Sequence, residues 1–282
     1  MQKIKRLKKK QRVRFIGIFW KMILPIILLI LGGILFRTNT RYWNGKDKIN
    51  VVEQKGDGNV SVKVYDPKLE EMVTLIIPGE TEVSVSRNLG VLRLKNVWQL
   101  GVNEKIGGDL LAQTVTKNFL FSVFLWRGSD GSTNIPFGDR LLIWIFEKRT
   151  KNLQKTEIDL GKSQFVRKLK LSDGEIGYKL PGAISERLTV YFVDNDFVES
   201  PPKVYIKDAT GTFGVSENVG RAIEVMGGKI VTIERVQTDD SDCLVRGKLA
   251  KKIDRVFDCK VDKGTSNFDL EIVLGKSFAK RF

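Results

Sequence analysis

The chain has 282 residues, 48 of them Lys or Arg and 33 Asp or Glu, for a formal net charge of +15. A hydrophobic fraction of 42% excludes a wholly disordered chain, and the length fits one or two domains behind any targeting segment. No histidine is present. That excludes Ser-His-Asp and Cys-His catalysis, histidine metal sites and imidazole proton transfer, and two cysteines cannot build a structural zinc site by themselves.

Residues 1–14 carry Lys3, Lys5, Arg6, Lys8, Lys9, Lys10, Arg12 and Arg14 and no acid. An apolar run follows from Phe15 to Phe36. As a helix it spans about 33 Å, enough for the hydrocarbon core of a bilayer. Lys21 lies near the basic end, where its stem can snorkel, and Trp20 suits the interface. Pro25, Gly32 and Gly33 are tolerated in membrane helices. The run ends in Phe36-Arg37-Thr38-Asn39, without the small-residue site of a cleaved leader. The expectation is a single uncleaved transmembrane helix over 15–36. Residues 1–14 are then a cytoplasmic basic tail, and the rest lies outside the cytoplasm. The tail holds eight of the basic residues, and +15 less these eight leaves +7. That balance is no signal for nucleic acid, and no nucleic-acid partner is expected.

Residues 37–48 are polar and read as a linker. Strand patterns then begin at Ile49–Val52, Val60–Val64 and Met72–Ile77, with Asp66-Pro67-Lys68 as a turn. Glu82–Val85 and Val91–Leu94 are expected as two shorter strands. Gly108 and Asp109 open a helix, with Leu110, Leu111, Val115 and Phe119 at helical spacing. Phe121–Trp126 is a short apolar run, and residues 127–134 are a loop. Leu141–Phe146 predicts a buried helix capped by Asp139 and closed by Glu147, Lys148 and Arg149. Residues 150–182 carry weak strands, and Ile184–Asn195 is amphipathic. Pro201-Pro202 marks a boundary between a mixed α+β domain over 49–200 and a small α/β domain over 203–282. The second part alternates. It runs strand Val204–Ile206, turn Asp208–Gly211, helix Ser216–Met226 before Gly227-Gly228, and strands Lys229–Val236 and Cys243–Val245. Helix Lys248–Phe257 follows, and strands Cys259–Val261 and Asp269–Leu274 finish it. The fold class is α/β behind one membrane helix.

Two stretches resemble a known family. Asp66-Pro67 between two strands, then Ile77-Pro78-Gly79-Glu80-Thr81 and Arg93-Leu94-Lys95-Asn96-Val97-Trp98, resemble the opening half of a LytR-CpsA-Psr domain. Asp208-Ala209-Thr210-Gly211 and Ile272-Val273-Leu274-Gly275 resemble landmarks of the LytR C-terminal domain. The order of these landmarks behind a basic tail and a membrane helix also agrees with that family. The resemblance implies transfer of a glycopolymer from a polyprenyl-phosphate carrier to the cell wall. It also implies arginines on the pyrophosphate and magnesium held by acids. This chain departs from the pattern where it matters most. Gly79 stands in place of the arginine of an I-P-R-D-T motif and Glu80 in place of its aspartate. Asp57 is offset from the upstream aspartate, and no second half is recognisable between 125 and 195. The expectation is a reduced relative, an envelope pseudoenzyme with no assigned catalytic residue. Its expected ligand is an anionic or polyprenyl-phosphate-linked wall glycopolymer. No cofactor is expected, with magnesium entering only if the family activity persists. The alternatives are an active magnesium-dependent glycopolymer phosphotransferase and a non-catalytic scaffold for an envelope protein partner.

The residues themselves leave several alternatives open. Arg87, Arg93 and Lys95 form a phosphate- or glycan-binding surface or the solvated face of a strand; Arg93 and Lys95 alternate with Leu92 and Leu94. Glu80 is a metal ligand or a turn residue, and one carboxylate alone does not satisfy magnesium. Gly211, and likewise Gly107-Gly108, receive an anion at a helix start or simply make a turn. Lys248, Lys251, Lys252 and Arg255 form a basic helix face for polymer or lipid, or a solvated one. Cys243 and Cys259 are either two buried thiols or a disulfide. The bridge would close a loop of about 15 residues and add about 3 kcal/mol.

Overall fold

The computed structural model describes residues 32–33, 42–150, 154–180 and 186–282. The expected membrane helix and basic tail lie outside them, apart from Gly32 and Gly33. Among the described residues no helix is long and apolar enough to cross a membrane. The described residues divide into two compact units, one that joins those up to Gly45 with Pro136–Lys148 and one that joins those of Lys46–Ile135 with those from Arg149 onward.

The larger unit opens with strands β1 (Ile49–Gln54), β2 (Val60–Asp66) and β3 (Glu71–Ile77), an antiparallel meander. Val60, Val62 and Val64 line one face of β2, and Ser61 on the other face is also buried, so both faces of the sheet are covered. The Asp66 carboxylate accepts from the backbone of Lys68 and Leu69 and closes the expected turn. Strand β4 (Thr81–Ser84), a 3₁₀ turn (Ser86–Asn88) and β5 (Val91–Arg93) lead into helices α1 (Leu94–Asn103) and α2 (Asp109–Phe119). Leu110, Leu111, Val115 and Phe119 of α2 are buried as their spacing requires. Strand β6 (Leu125–Arg127) returns parallel to β1, and β7 (Gln154–Asp159) lies parallel to β3, giving the order β6-β1-β2-β3-β7. Strands β8 (Arg167–Lys170) and β9 (Ile176–Lys179) form a hairpin, and β9 joins β4 in a four-stranded sheet β5-β4-β9-β8.

Short helices α4 (Glu186–Thr189) and α5 (Asn195–Glu199) precede strand β10 (Lys203–Ala209). Helix α6 (Val215–Val225), strands β11 (Lys229–Arg235) and β12 (Cys243–Gly247), helix α7 (Ala250–Phe257), strands β13 (Lys260–Val261) and β14 (Leu270–Gly275) and helix α8 (Lys276–Arg281) complete the chain. Strand β10 sits inside the sheet β11-β10-β14-β12-β13, parallel to both neighbours. Its Val204 and Ile206 share a core with Val219, Ala222 and Ile223 of α6, Ile253 of α7 and Phe278 of α8. The mixed α/β class holds throughout, while α8 had no counterpart in the sequence pattern.

In the smaller unit, helix α3 (Phe137–Arg149) covers the 141–146 run, but the expectation of burial fails. Trp144 is 55% exposed, and among the apolar residues of that run only Ile143 is fully buried. Asp139 lies inside the helix rather than capping it, and its carboxylate accepts from the Tyr42 backbone N–H at 2.9 Å. Trp43, within the expected linker, is buried and meets the Phe146 ring edge-on at 5.9 Å.

Candidate functional site

The site begins with two glycines that nest together. Between β3 and β4 the Thr81 N–H and hydroxyl both donate to the Pro78 carbonyl, at 3.0 and 2.7 Å, which draws Pro78–Thr81 into a tight turn. Gly79 N–H donates to Asn59 Oδ1 at 3.0 Å, and its carbonyl accepts from Lys95 N–H at 2.9 Å. A Cβ on Gly79 would lie 2.2 Å from the Gly58 carbonyl oxygen and 3.0 Å from the Lys95 Cβ. Gly58 itself has φ +84°, a conformation that favours glycine. The space an arginine at 79 would need is therefore filled by backbone. Asp57 is part of this device: its carboxylate accepts from Asn59 N–H at 3.0 Å and Nδ2 at 2.9 Å and so aims Asn59 Oδ1 at Gly79. Those hydrogen bonds hold the Asp57 carboxyl below its ordinary value.

Beside the turn stand Glu80, Arg93 and Lys95. The expectation that Arg93 and Lys95 share an extended face is corrected, because Arg93 ends β5 and Lys95 already belongs to helix α1. Leu94, Val97, Trp98 and Gly101 recur at three- and four-residue steps on the buried face of that helix. Both cations converge on Glu80, Lys95 at 2.5 Å and Arg93 by a close ion pair. The Arg93 guanidinium also reaches Asp173 at 2.8 Å and Glu175 at 2.9 Å, both in the turn of the β8–β9 hairpin. Three carboxylates thus surround two cations. Lys95 first, then Arg93, holds the Glu80 carboxyl below its usual range. The Glu175 N–H, then Arg93, does the same for Asp173. Glu80 and Asp173 push the Arg93 guanidinium further toward the charged form. An arriving phosphate meets occupied cations and must displace a carboxylate to reach them. Arg87 takes no part in these bonds. It sits in the 3₁₀ turn with φ +64°, exposed, donating to Gln113 Oε1 at 3.3 Å.

Both Glu80 oxygens are ion-paired, and among the described residues no group of three or more Cys, Asp or Glu side chains is placed to hold a metal. Asp173 and Glu175 were not singled out from the sequence; Asp173-Gly174 as a turn was the one available signal. Gly108 serves packing, since a Cβ there would strike the Trp126 ring at 2.3 Å and Trp98 at 2.7 Å. Lys252 of the expected basic face is not solvated. Burial disfavours its charge, but Asp194 at 2.5 Å and Asp196 at 2.8 Å outweigh that and raise its value. Cys243 and Cys259 are joined in a disulfide with Cα atoms 4.6 Å apart, tying β12 to the residue before its neighbour β13.

No protein-family model matches the chain, and no curated protein does. Among solved structures it is similar to TagT of B. subtilis, at 13% identity and a TM-score of 0.35, covering 50% of this chain and 87% of that one. A LytR-CPS2A-psr family protein, YwtF (TagT), with bound octaprenyl pyrophosphate lipid matches at 14% identity and 0.35, covering 50% and 86%. TagT bound to LIIa-WTA matches at 12% and 0.34, covering 50% and 87%. Likeness at this level carries no argument about activity.

Proposed function

We propose that this chain is a membrane-anchored, extracytoplasmic cell-envelope protein of the LytR-CpsA-Psr type. It associates with polyprenyl-linked wall glycopolymer and lacks the family's transfer chemistry. The apolar run 15–36 behind the basic tail supports the anchor. The motif order along the chain supports the kinship. The observation that carries the loss of transfer is the filled space at Gly79, where the motif's arginine has no room and backbone stands instead. The remaining cations, Arg93 and Lys95, are neutralised by Glu80, Asp173 and Glu175, so any anionic headgroup is held weakly and exchangeably.

The test uses the full chain in vesicles with a polyprenyl-pyrophosphate-linked glycan, a wall acceptor and Mg²⁺. The expected result is no transfer above the Mg²⁺-free control, together with carrier binding that an Arg93→Ala, Lys95→Ala double variant weakens. Magnesium-dependent transfer overturns the non-catalytic reading. Saturable carrier binding that the double variant leaves unchanged removes these residues from it.

A further inference from the structure

Parallel strands β10 and β11 end side by side, at Ala209 and Arg235. The chain leaving β10 turns through Thr210–Gly214 into helix α6. Between that turn and the end of β11 lies an open cleft of about 270 Å³, lined by Asp208, Gly211, Thr212, Phe213, Arg235 and Val236. The place is one where open α/β sheets bind ligands, outside the carboxyl ends of parallel strands. The volume is near the lower end for small-ligand pockets, about 300 Å³.

The turn is locked by one carboxylate. Asp208 is buried, and its Oδ1 accepts from Thr210 N–H at 2.9 Å and the Thr210 hydroxyl at 2.6 Å. Its Oδ2 accepts from the Ser216 hydroxyl, in the first turn of α6, at 2.7 Å. Thr212 N–H donates onward to the Thr210 hydroxyl at 3.1 Å. Gly211 and Gly214 take φ +65° and +86°, and a Cβ on Gly211 would meet Thr238 Cγ2 at 2.6 Å. What this rigid turn holds out is Phe213, 88% exposed. A hydrophobic ring kept in water on a fixed support gains nothing for the fold. The Arg235 guanidinium carbon stands 5.5 Å from its centroid, and Arg235 Nη2 is paired with Glu217 at 2.7 Å.

We propose that this cleft binds a neutral pyranose ring of a glycan, stacked on Phe213. The flat negative face of an aromatic ring attracts the weakly positive C–H face of a sugar. The Arg235–Glu217 pair sets donors beside acceptors, as two neighbouring hydroxyls require. Charge argues against an anion. Of the charged residues that line the cleft, Asp208 balances Arg235, and Arg235 is further paired with Glu217 in the first turn of α6. The Asp208 carboxylate is spent within the turn, so its part is to position Phe213 rather than to touch ligand. This site is separate from the Gly79 turn and does not rest on the function proposed above.

The experiment is calorimetric titration of the full chain in nanodiscs, free of sugar-headed detergent, with a β-1,4-linked N-acetylglucosamine tetramer. Saturable binding is expected in the wild type. Phe213→Ala and Phe213→Leu should each weaken it about tenfold, the size of a lost ring stack, with melting temperature unchanged. Phe213→Trp should retain binding, with a fluorescence change on adding the sugar that the wild type lacks. Wild type that fails to bind, or Phe213→Ala that binds as well as wild type, overturns the proposal. Displacement of the sugar by equimolar pyrophosphate overturns its neutral character.

Discussion

Gly79→Ala adds one methyl group at the centre of the nested turns. Its carbon would stand 2.2 Å from the Gly58 carbonyl oxygen and 2.8 Å from the carbonyl carbon, a backbone overlap that no rotamer change relieves. One of two segments must retreat. Moving the 55–59 turn breaks Gly79 N–H to Asn59 Oδ1, and moving the β3–β4 turn breaks Lys95 N–H to the Gly79 carbonyl. Overpacking of this kind costs about 1–3 kcal/mol, and a lost hydrogen bond adds about 1 kcal/mol. The expected destabilisation is then about 2–4 kcal/mol, a fall in Tm of about 5–15 °C for a chain of this size. Urea and thermal unfolding of the full chain, followed by tryptophan fluorescence, measure it. Gly56→Ala is the matched control, because it lies in the same turn, has open space within 4 Å and has no positive φ. It should change stability by no more than about 0.5 kcal/mol, or stabilise slightly through the unfolded chain. A Gly79→Ala protein as stable as Gly56→Ala would refute the steric argument and reopen the position to an arginine.

Removing one carboxylate should unmask the cations: Glu80→Gln is expected to tighten pyrophosphate binding several-fold, and unchanged affinity would mean that the pairing does not compete with anions. Glu80 and Asp173 have folded-state values below their ordinary ones, so the stability they contribute is present above the normal carboxylate range. It is lost as pH falls through the depressed values. Melting from pH 6 to pH 3 should therefore show a weaker pH dependence in Arg93→Met than in wild type, and identical profiles would exclude the pair as its source. A Cys243→Ala, Cys259→Ala chain releases a bridge across a sequence separation of 16 and should lose about 3 kcal/mol, read as a lower urea midpoint. Trp144→Ser should leave the melting temperature nearly unchanged, since the indole is more than half exposed; a loss above about 2 kcal/mol would restore the sequence expectation of a buried helix.

Elements whose pattern is local were legible. Val60, Val62 and Val64 alternate because one face of β2 meets the core, and Leu110, Leu111, Val115 and Phe119 recur at helical steps because α2 lies on that core. Helix α1 was not foreseen, because Leu92 and Leu94 continue the alternation of β5 and carry the strand reading to Leu94. Near the end of that helix Gly101 packs on the next segment, since a Cβ there would lie 2.2 Å from the Gly107 carbonyl oxygen. That contact belongs to tertiary structure, and no window over 91–98 contains it. Trp144 misled for the opposite reason: an apolar run without a polar face implies burial on all sides, and the structure buries chiefly Ile143.

The candidate site was half legible for a similar reason. Residue identity alone made Gly79 an absence, an arginine position without its arginine. The structure makes it a requirement, because the Asp57–Asn59 turn from twenty residues upstream occupies the space. Arg93 and Lys95 were visible as cations, but Lys95 is paired with Glu80, and Arg93 also with Asp173 and Glu175, about eighty residues away on a hairpin that reaches it through β9 pairing with β4. Charge arithmetic along the chain cannot find such partners, since a salt bridge of this kind is a consequence of sheet order. The same logic separates the two clusters. Around Arg93 the surplus carboxylates close a site that the motif order alone leaves open. At Asp208 a carboxylate consumed by its own turn holds the neighbouring Phe213 ring out in solvent, with Arg235 beside it.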